Sequence, residues 1–418
     1  MQTNLPTALQ SHWIQKGFTT PTDIQQQIYQ PLLNGASFVA ISPTGTGKTL
    51  AYLLPLLSRL EANQELQAII VAPSQELAKQ IGVVAQEWAA TCQLNVQLIV
   101  GGANFKRQQE ALKNKPELIV ATPGRFNELL DKTRKLKVHT VKTVIFDEAD
   151  YLFEQENRRA VEQMQRRFMR DTQYVWLSAT FGEDLRTLAK EQQLQVYEVS
   201  RHHQNTSVSH YYIVTPNRQK VAQLKRLAQL EAMRAIVFFE QVNELEETAA
   251  KLLYQGIRAV SLHGQLSKQE RELAIRLFTK GEATYLLTTD MAARGLDIED
   301  VAYVVHFNRV ADARTYIHRS GRTGRMGKKG IVLSLVNEQE GRDLAQILQP
   351  EAIQLSERLI HSAQLIEPSD KPISDRPQKP TVKSKRVAAP TPTQTTITKT
   401  KKKRTRDTKN KGKRKKSN

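Results

Sequence analysis

Cysteine is nearly absent: Cys92 is the only one in 418 residues. A single thiol excludes an internal disulfide and any zinc site built from several cysteines, and Cys92 reads as an inert, small apolar residue. Long hydrophobic runs are missing too. The longest reach five or six residues, far below the ~20 that span a bilayer, so no membrane partner is expected. The opening Met1-Gln2-Thr3-Asn4-Leu5 lacks a basic segment followed by an apolar one, which argues against a secretion signal and for a cytoplasmic location. His202 and His203 are adjacent but have no further ligands at metal spacing, so they read as linker surface.

Acidic residues are scarce in one region only. Residues 371–418 hold 18 Lys/Arg against two acids, Asp375 and Asp407, and so carry 16 of the 19 net positive charges. The other 370 residues hold 43 Lys/Arg against 40 Asp/Glu and are close to neutral. Beyond about Leu365 the composition turns to Pro, Ser, Thr and Lys, which cannot bury enough apolar surface to offset ordering entropy. We therefore expect a disordered, Lys/Arg-rich tail over 367–418. It would act as an electrostatic tether to a polyanionic partner with steep salt dependence, or else as a solubilising polycation.

What is present is a chain of two or three domains' length with 39% hydrophobic residues. Between Ser37 and Leu177, short apolar runs alternate with stretches of helical period. The runs are Ser37–Ile41, Ala68–Ala72, Val96–Val100, Leu118–Ala121, Val141–Phe146 and Tyr174–Leu177. They are nearly all apolar rather than alternating, the mark of strands covered on both faces. A second series follows: Arg234–Phe239, Ile257–Ser261, Thr284–Thr288, Ala302–His306 and Gly330–Leu333. The expected fold is α/β with two parallel-sheet lobes, joined by the polar segment Arg201–His210. Trp13, Trp88 and Trp176 read as packing residues.

Three clusters carry chemistry. Ser42-Pro43-Thr44-Gly45-Thr46-Gly47-Lys48-Thr49 follows a strand and opens the helix Leu50–Leu60, so its N–H groups and the helix N-terminus can hold phosphate oxygens. Lys48 suits the terminal phosphates and the Thr49 hydroxyl suits Mg²⁺; Ser42 stands where the general phosphate-loop pattern has its first glycine. Asp147-Glu148-Ala149-Asp150 ends another strand, where open α/β sheets bind ligands. Asp147 suits the Mg²⁺ shell, partly through water, and Glu148 suits the attacking water. Far downstream, His318-Arg319-Ser320-Gly321-Arg322-Thr323-Gly324-Arg325 gathers cations able to reach a phosphate site.

Together with Gly17-Phe18-Thr19-Thr20-Pro21-Thr22-Asp23-Ile24-Gln25, Ser178-Ala179-Thr180 and Thr289-Asp290-Met291-Ala292-Ala293-Arg294-Gly295-Leu296-Asp297, these motifs resemble those of superfamily 2 DEAD-box RNA helicases over roughly residues 5–335. The chain as a whole is similar to bacterial cold-shock-type members. The resemblance implies two tandem RecA-like domains, 1–203 and 204–366, and ATP with Mg²⁺ as cofactors. It implies adenine recognition by Gln25 with Phe18 stacking nearby, phosphate contacts from Thr44, Gly45, Thr46, Gly47, Lys48 and Thr49, and a nucleotide contact from Asp297. Arg322 and Arg325 would approach the γ-phosphate across the cleft, while Ser178, Thr180 and His318 couple ATP state to strand separation. The RNA backbone would lie on Pro73, Gly101, Gly102, Thr122, Pro123, Gly124 and Arg125 of one lobe and Thr289, Arg294 and Gly295 of the other. Backbone contacts carry little sequence information, so structured or duplex RNA with low sequence specificity is the expected partner. Ribosomal or RNA-decay complexes and cold-shock stress are the expected setting. Gln75 stands where the family usually has arginine, Gln265 where it has aspartate and Lys268 where it has glutamine, which touches RNA contacts rather than ATP chemistry. The function implied is an ATP-hydrolysing RNA helicase acting locally. An ATP-dependent RNA clamp is the alternative, and a DNA-directed motor ranks below both.

Overall fold

Leu118-Ile119-Val120-Ala121 has no polar side chain, so it is stable as a strand only where helices cover both faces. The computed structural model describes residues 5–43, 45–133, 136–199, 208–293, 298, 301–324 and 328–370, and it buries all four of these residues inside a sheet. The first lobe runs α1 (Thr7–Gln15), α2 (Asp23–Leu33), β1 (Phe38–Ile41), α3 (Lys48–Leu57), β2 (Ala68–Val71), α4 (Gln75–Ala90), β3 (Val96–Ile99) and α5 (Phe105–Ala111). It continues through β4 (Leu118–Ala121), α6 (Pro123–Lys132), β5 (Thr143–Phe146), α7 (Ala149–Leu152), α8 (Gln155–Gln165), β6 (Gln173–Ser178), α9 (Glu183–Glu191) and β7 (Gln195–Glu198). Its seven strands are all parallel, in the order β3-β4-β2-β5-β6-β1-β7.

The second lobe repeats the plan. It comprises β8 (Val208–Val214), α10 (Lys220–Leu227), β9 (Ala235–Phe239), α11 (Val242–Tyr254), β10 (Ala259–Leu262), α12 (Lys268–Thr279), β11 (Tyr285–Thr289) and α13 (Asp290–Ala293). Then come β12 (Tyr303–His306), α14 (Ala313–Ser320), β13 (Gly330–Val336), α15 (Glu338–Leu348) and β14 (Leu355–Glu357). The parallel order is β10-β11-β9-β12-β13-β8-β14. These are the two tandem RecA-like sheets that the sequence leads one to expect.

Each sheet separates two apolar clusters, one per face. Trp13, Trp88 and Trp176 all lie within them at 2% exposure or less. One expectation needs correction. Val208-Ser209-His210, assigned above to the linker, opens β8, which pairs with both β13 and β14. Serine and histidine interrupt its apolar pattern because the strand is half-buried rather than fully covered. The remaining linker residues, among them His202 and His203, lie outside the described residues.

The strand order positions the site. β5, β6 and β1 are consecutive neighbours, so the segments after each of them, at Asp147, Ala179 and Ser42, emerge side by side at the carboxyl edge, where such sheets bind ligands.

Candidate active site and nucleic-acid interface

Gly45 and Gly47 take φ of +77° and +82°, the left-handed region where an L side chain is strained. Gly47 caps the N-terminus of α3, and a Cβ there would stand 2.8 Å from Gln25 Nε2. Glycine therefore lets the loop close onto Gln25. The Gln25 amide donates to Gly47 O at 3.3 Å, and its Oε1 accepts from Thr22 N at 2.9 Å. This ties the segment that caps α2 to the phosphate loop. Phe18 is half-buried, packed on Trp13 at 4.8 Å between ring centroids, with its exposed part on the same lobe. Within the loop, Lys48 Nζ donates to Ser42 O (2.6 Å) and Pro43 O (3.2 Å). Ser42 Oγ and Thr46 Oγ1 are 2.7 Å apart, and Thr46 also donates to Pro43 O. The ammonium thus lies against the carbonyls of the curve that phosphates would occupy.

Asp147 ends β5 almost fully buried. Its Oδ2 accepts from the Tyr52 hydroxyl at 2.9 Å and its Oδ1 from Glu148 N at 2.9 Å. Burial pushes its carboxyl up to about 6, against the pull of Lys48 and with the push of Glu148. A buried carboxylate held this way gains from a nearby cation. Asp147 and the Thr49 hydroxyl form an all-oxygen donor set, and Mg²⁺ is commonly held by one or two carboxylates, water and substrate phosphates, so these residues fit it. Glu148 is half-buried with φ +50°, a conformation that costs energy for a non-glycine residue and turns its side chain out of the helical line of α7.

The two lobes meet at the last residue of this motif. Asp150 Oδ2 accepts from Thr180 Oγ1 at 2.9 Å and lies 2.8 Å from His318 Nε2 of α14. Burial would raise the Asp150 carboxyl, but His318, Thr180 and Arg314 outweigh it and hold it at about 2. Arg314, one helical turn before His318, donates to Asp150 O and to Glu154 Oε1, both at 3.0 Å, and its guanidinium covers the Tyr151 ring. Ser178 Oγ donates to Thr180 O and accepts from Thr180 N, which fixes the turn presenting Thr180. Behind α14, Arg319 makes a two-pronged pair with Asp290 at 2.7 and 2.6 Å. Arg322 sits half-buried in the turn after α14. Asp150 was singled out within its motif but given no role, and Tyr151, Glu154 and Arg314 were not singled out; the spacing of Arg314 four residues before His318, on one helix face, was the available signal.

The lobe-one residues expected to face RNA follow β2, β3 and β4. Gly102, at φ +68°, and Gly101 lie beneath Gln75, whose amide atoms would stand 3.1 Å from a Cβ at either glycine. Pro73 precedes α4 and is half-buried. Thr122 caps α6, with Pro123 in its first turn and Gly124 exposed. Arg125 is brought to this face but uses its donors within the lobe, toward Ala103 O (2.9 Å), Gln108 Oε1 (3.3 Å) and Glu128 (3.0 Å). A second bridge between lobes, Arg271 Nη2 to Glu76 Oε1 at 3.4 Å, joins the N-terminal turns of α12 and α4 on this side. Thr289 ends β11, half-buried. Thr44, Arg294, Gly295, Asp297 and Arg325 lie outside the described residues.

Comparison with known proteins agrees with this geometry. The model of DEAD/DEAH box helicases matches residues 22–188, and that of the helicase conserved C-terminal domain matches 219–327. The chain is 42% identical to the probable ATP-dependent RNA helicase YfmL of Bacillus subtilis, over 87% of this chain and 97% of that one. It is 40% identical to the DEAD-box ATP-dependent RNA helicase CshC of Bacillus cereus, over 90% and 97% respectively. Among solved structures it is similar to S. cerevisiae Dbp5 bound to RNA and ADP BeF3, with a TM-score of 0.76 and 31% identity over 85% of this chain and 94% of that chain. With near-complete coverage of relatives at this identity, the chain belongs to the DEAD-box family of ATP-dependent RNA helicases.

Proposed function

We propose that this helicase holds ATP on residues 1–203, clamps it with residues 204–366, and uses closure and reopening of the two lobes to separate short RNA duplexes locally. The observation that carries the reading is Asp150. One buried carboxylate, next in the chain to the hydrolytic residues, touches the Ser178–Thr180 turn of lobe one and His318 of lobe two.

In this reading Lys48 leaves the carbonyls of Ser42 and Pro43 for the terminal phosphates, and Gln25 reads the adenine edge beside Phe18. Thr49 and Asp147 would hold Mg²⁺, Asp147 partly through water, and the ion would supply charge neutralisation on the phosphate oxygens. Glu148 orients the attacking water and accepts its proton. Arg322 and Arg325 stabilise charge developing on the γ-phosphate, and Asp297 adds a nucleotide contact. Because these arginines belong to lobe two, catalysis requires closure. Loss of the γ-phosphate removes their partner and weakens it. RNA lies along Pro73, Gly101, Gly102, Thr122, Pro123, Gly124 and Arg125, and along Thr289, Arg294 and Gly295 of lobe two. We place the activity in the cytoplasm, on structured RNA of ribosomal or RNA-decay complexes.

Steady-state ATP turnover of the whole chain, alone and with structured RNA or matched DNA, tests this. RNA should stimulate turnover, DNA should not, and Lys48→Ala should abolish it. Glu148→Gln should bind ATP and RNA yet hydrolyse about 10²–10⁴-fold more slowly. ATP and RNA binding without stimulated turnover would establish the clamp instead.

A further inference from the structure

Among the described residues β3 is a terminal strand of the lobe-one sheet, paired with β4 on one side. The carbonyls of Asn95 and Ile99 accept from Glu117, Leu118 and Thr122 on the β4 side. By the two-residue period of a strand, Val96, Leu98 and Val100 therefore turn their backbone groups to the open edge. A groove of about 570 Å³ follows that edge. Lys79 and Gln86 of α4 form one wall, Arg107 and Ala111 of α5 the other. The exposed Val83 lies between the first two on α4, at 66% exposure.

Exposed strand edges invite pairing, and proteins usually blunt them with lysine, proline or a covering segment. Here the cover is thin. Val96 O receives only the Gln86 side-chain amide, at 3.4 Å, and Val100 O receives that of Gln108, at 2.9 Å. Both are side-chain amides, groups that an incoming backbone amide can replace one for one. Cations outnumber acids here: Lys79 and Arg107 line the groove, Lys106, Lys113 and Lys115 are exposed beside its lining residues in the chain, and the acids nearby are Glu110 and the buried Glu117, which is held by Asn95 N and Gln64 N.

The geometry points to a docking site for an extended, acidic peptide of a partner protein, added to the sheet as an eighth strand beside β3. Backbone hydrogen bonds would give affinity and alternate side chains the specificity, as in other strand-addition complexes. Acidic side chains on one face of the peptide would meet Arg107 on the α5 wall, and apolar ones on the other face would cover Val83 and Leu98 on the α4 wall. RNA is the less suitable occupant, because the groove floor is strand edge and apolar side chain, with cations at the rim alone. The groove is lined by none of the phosphate-loop residues and by neither Asp147 nor Glu148, so a bound partner would leave basal turnover unobstructed.

Position-resolved hydrogen exchange on the full chain tests this, using an eight-residue peptide that alternates valine with aspartate. The control peptide keeps the aspartates and carries proline in place of each valine, which removes the N–H groups along one edge of the strand. Both peptides can reach the basic segment 371–418, so only protection at residues 95–100 counts. The alternating peptide should slow exchange there about tenfold while the proline peptide does not, and Arg107→Glu should remove the effect without altering basal, RNA-free ATP turnover. Unchanged exchange at 95–100 would overturn the proposal even if the peptide binds elsewhere, as would displacement of the protection by a single-stranded RNA.

Discussion

At the residue scale, Asp147 shows how one burial sets both stability and ligand preference. Its folded-state value of about 6 lies above the ordinary carboxyl value of 3.8. Between those two pH values the folded chain keeps a proton that the unfolded chain has lost. Its contribution to stability is therefore present below 3.8 and disappears as pH rises through about 6. Ligand binding has the opposite sign, since a cation-bearing nucleotide needs the charged form and should bind less well below pH 6. Melting temperatures from pH 4 to 7 should show this slope for the wild type and lack it in Asp147→Asn. A difference between the two proteins that stays constant across that range would refute the assignment. Gln25 makes a related point: the motif around it is visible in the sequence, whereas its bond to Gly47 O, 22 positions away, depends on how the phosphate loop folds back.

At the element scale, what could be read from the sequence follows burial. Strands covered on both faces, such as β2, β4 and β9, are apolar throughout and were recognisable. β7 and β14 are edge strands with polar residues and partial exposure, and β8 mixes serine and histidine into its run, so none of the three carries a strong pattern. The bridges between lobes were illegible for another reason: they join residues 160 or more positions apart, and no local pattern encodes them. The pair joining α4 to α12 is the sharpest case. Glu76 and Arg271 are each about 30% exposed, so the pair should couple by about 0.2–1 kcal/mol. Glu76→Arg or Arg271→Glu alone should weaken ATP-dependent RNA binding, and the charge-swapped double variant should recover most of it. Additive losses in the double variant would mean that the pair does not help to close the lobes.

For the whole molecule, the charge distribution separates catalysis from recruitment. A near-neutral pair of lobes carries the ATP site, while residues 371–418 carry 16 of the 19 net positive charges. Charges on the lobes that meet phosphate across a closing cleft act only in the ATP-bound form. As an RNA tether, the C-terminal segment would act in every nucleotide state, because its charge does not depend on the ATP cycle. Removing 371–418 should therefore lower RNA affinity equally with and without ATP, and leave basal turnover intact. The logarithmic salt slope should flatten by about 0.7 for each single-strand phosphate the segment neutralises. An unaltered slope would make the segment a solubilising polycation. A loss confined to the ATP-bound form would instead tie the segment to lobe closure, and the division between a recruiting polycation and a catalytic pair of lobes would fail.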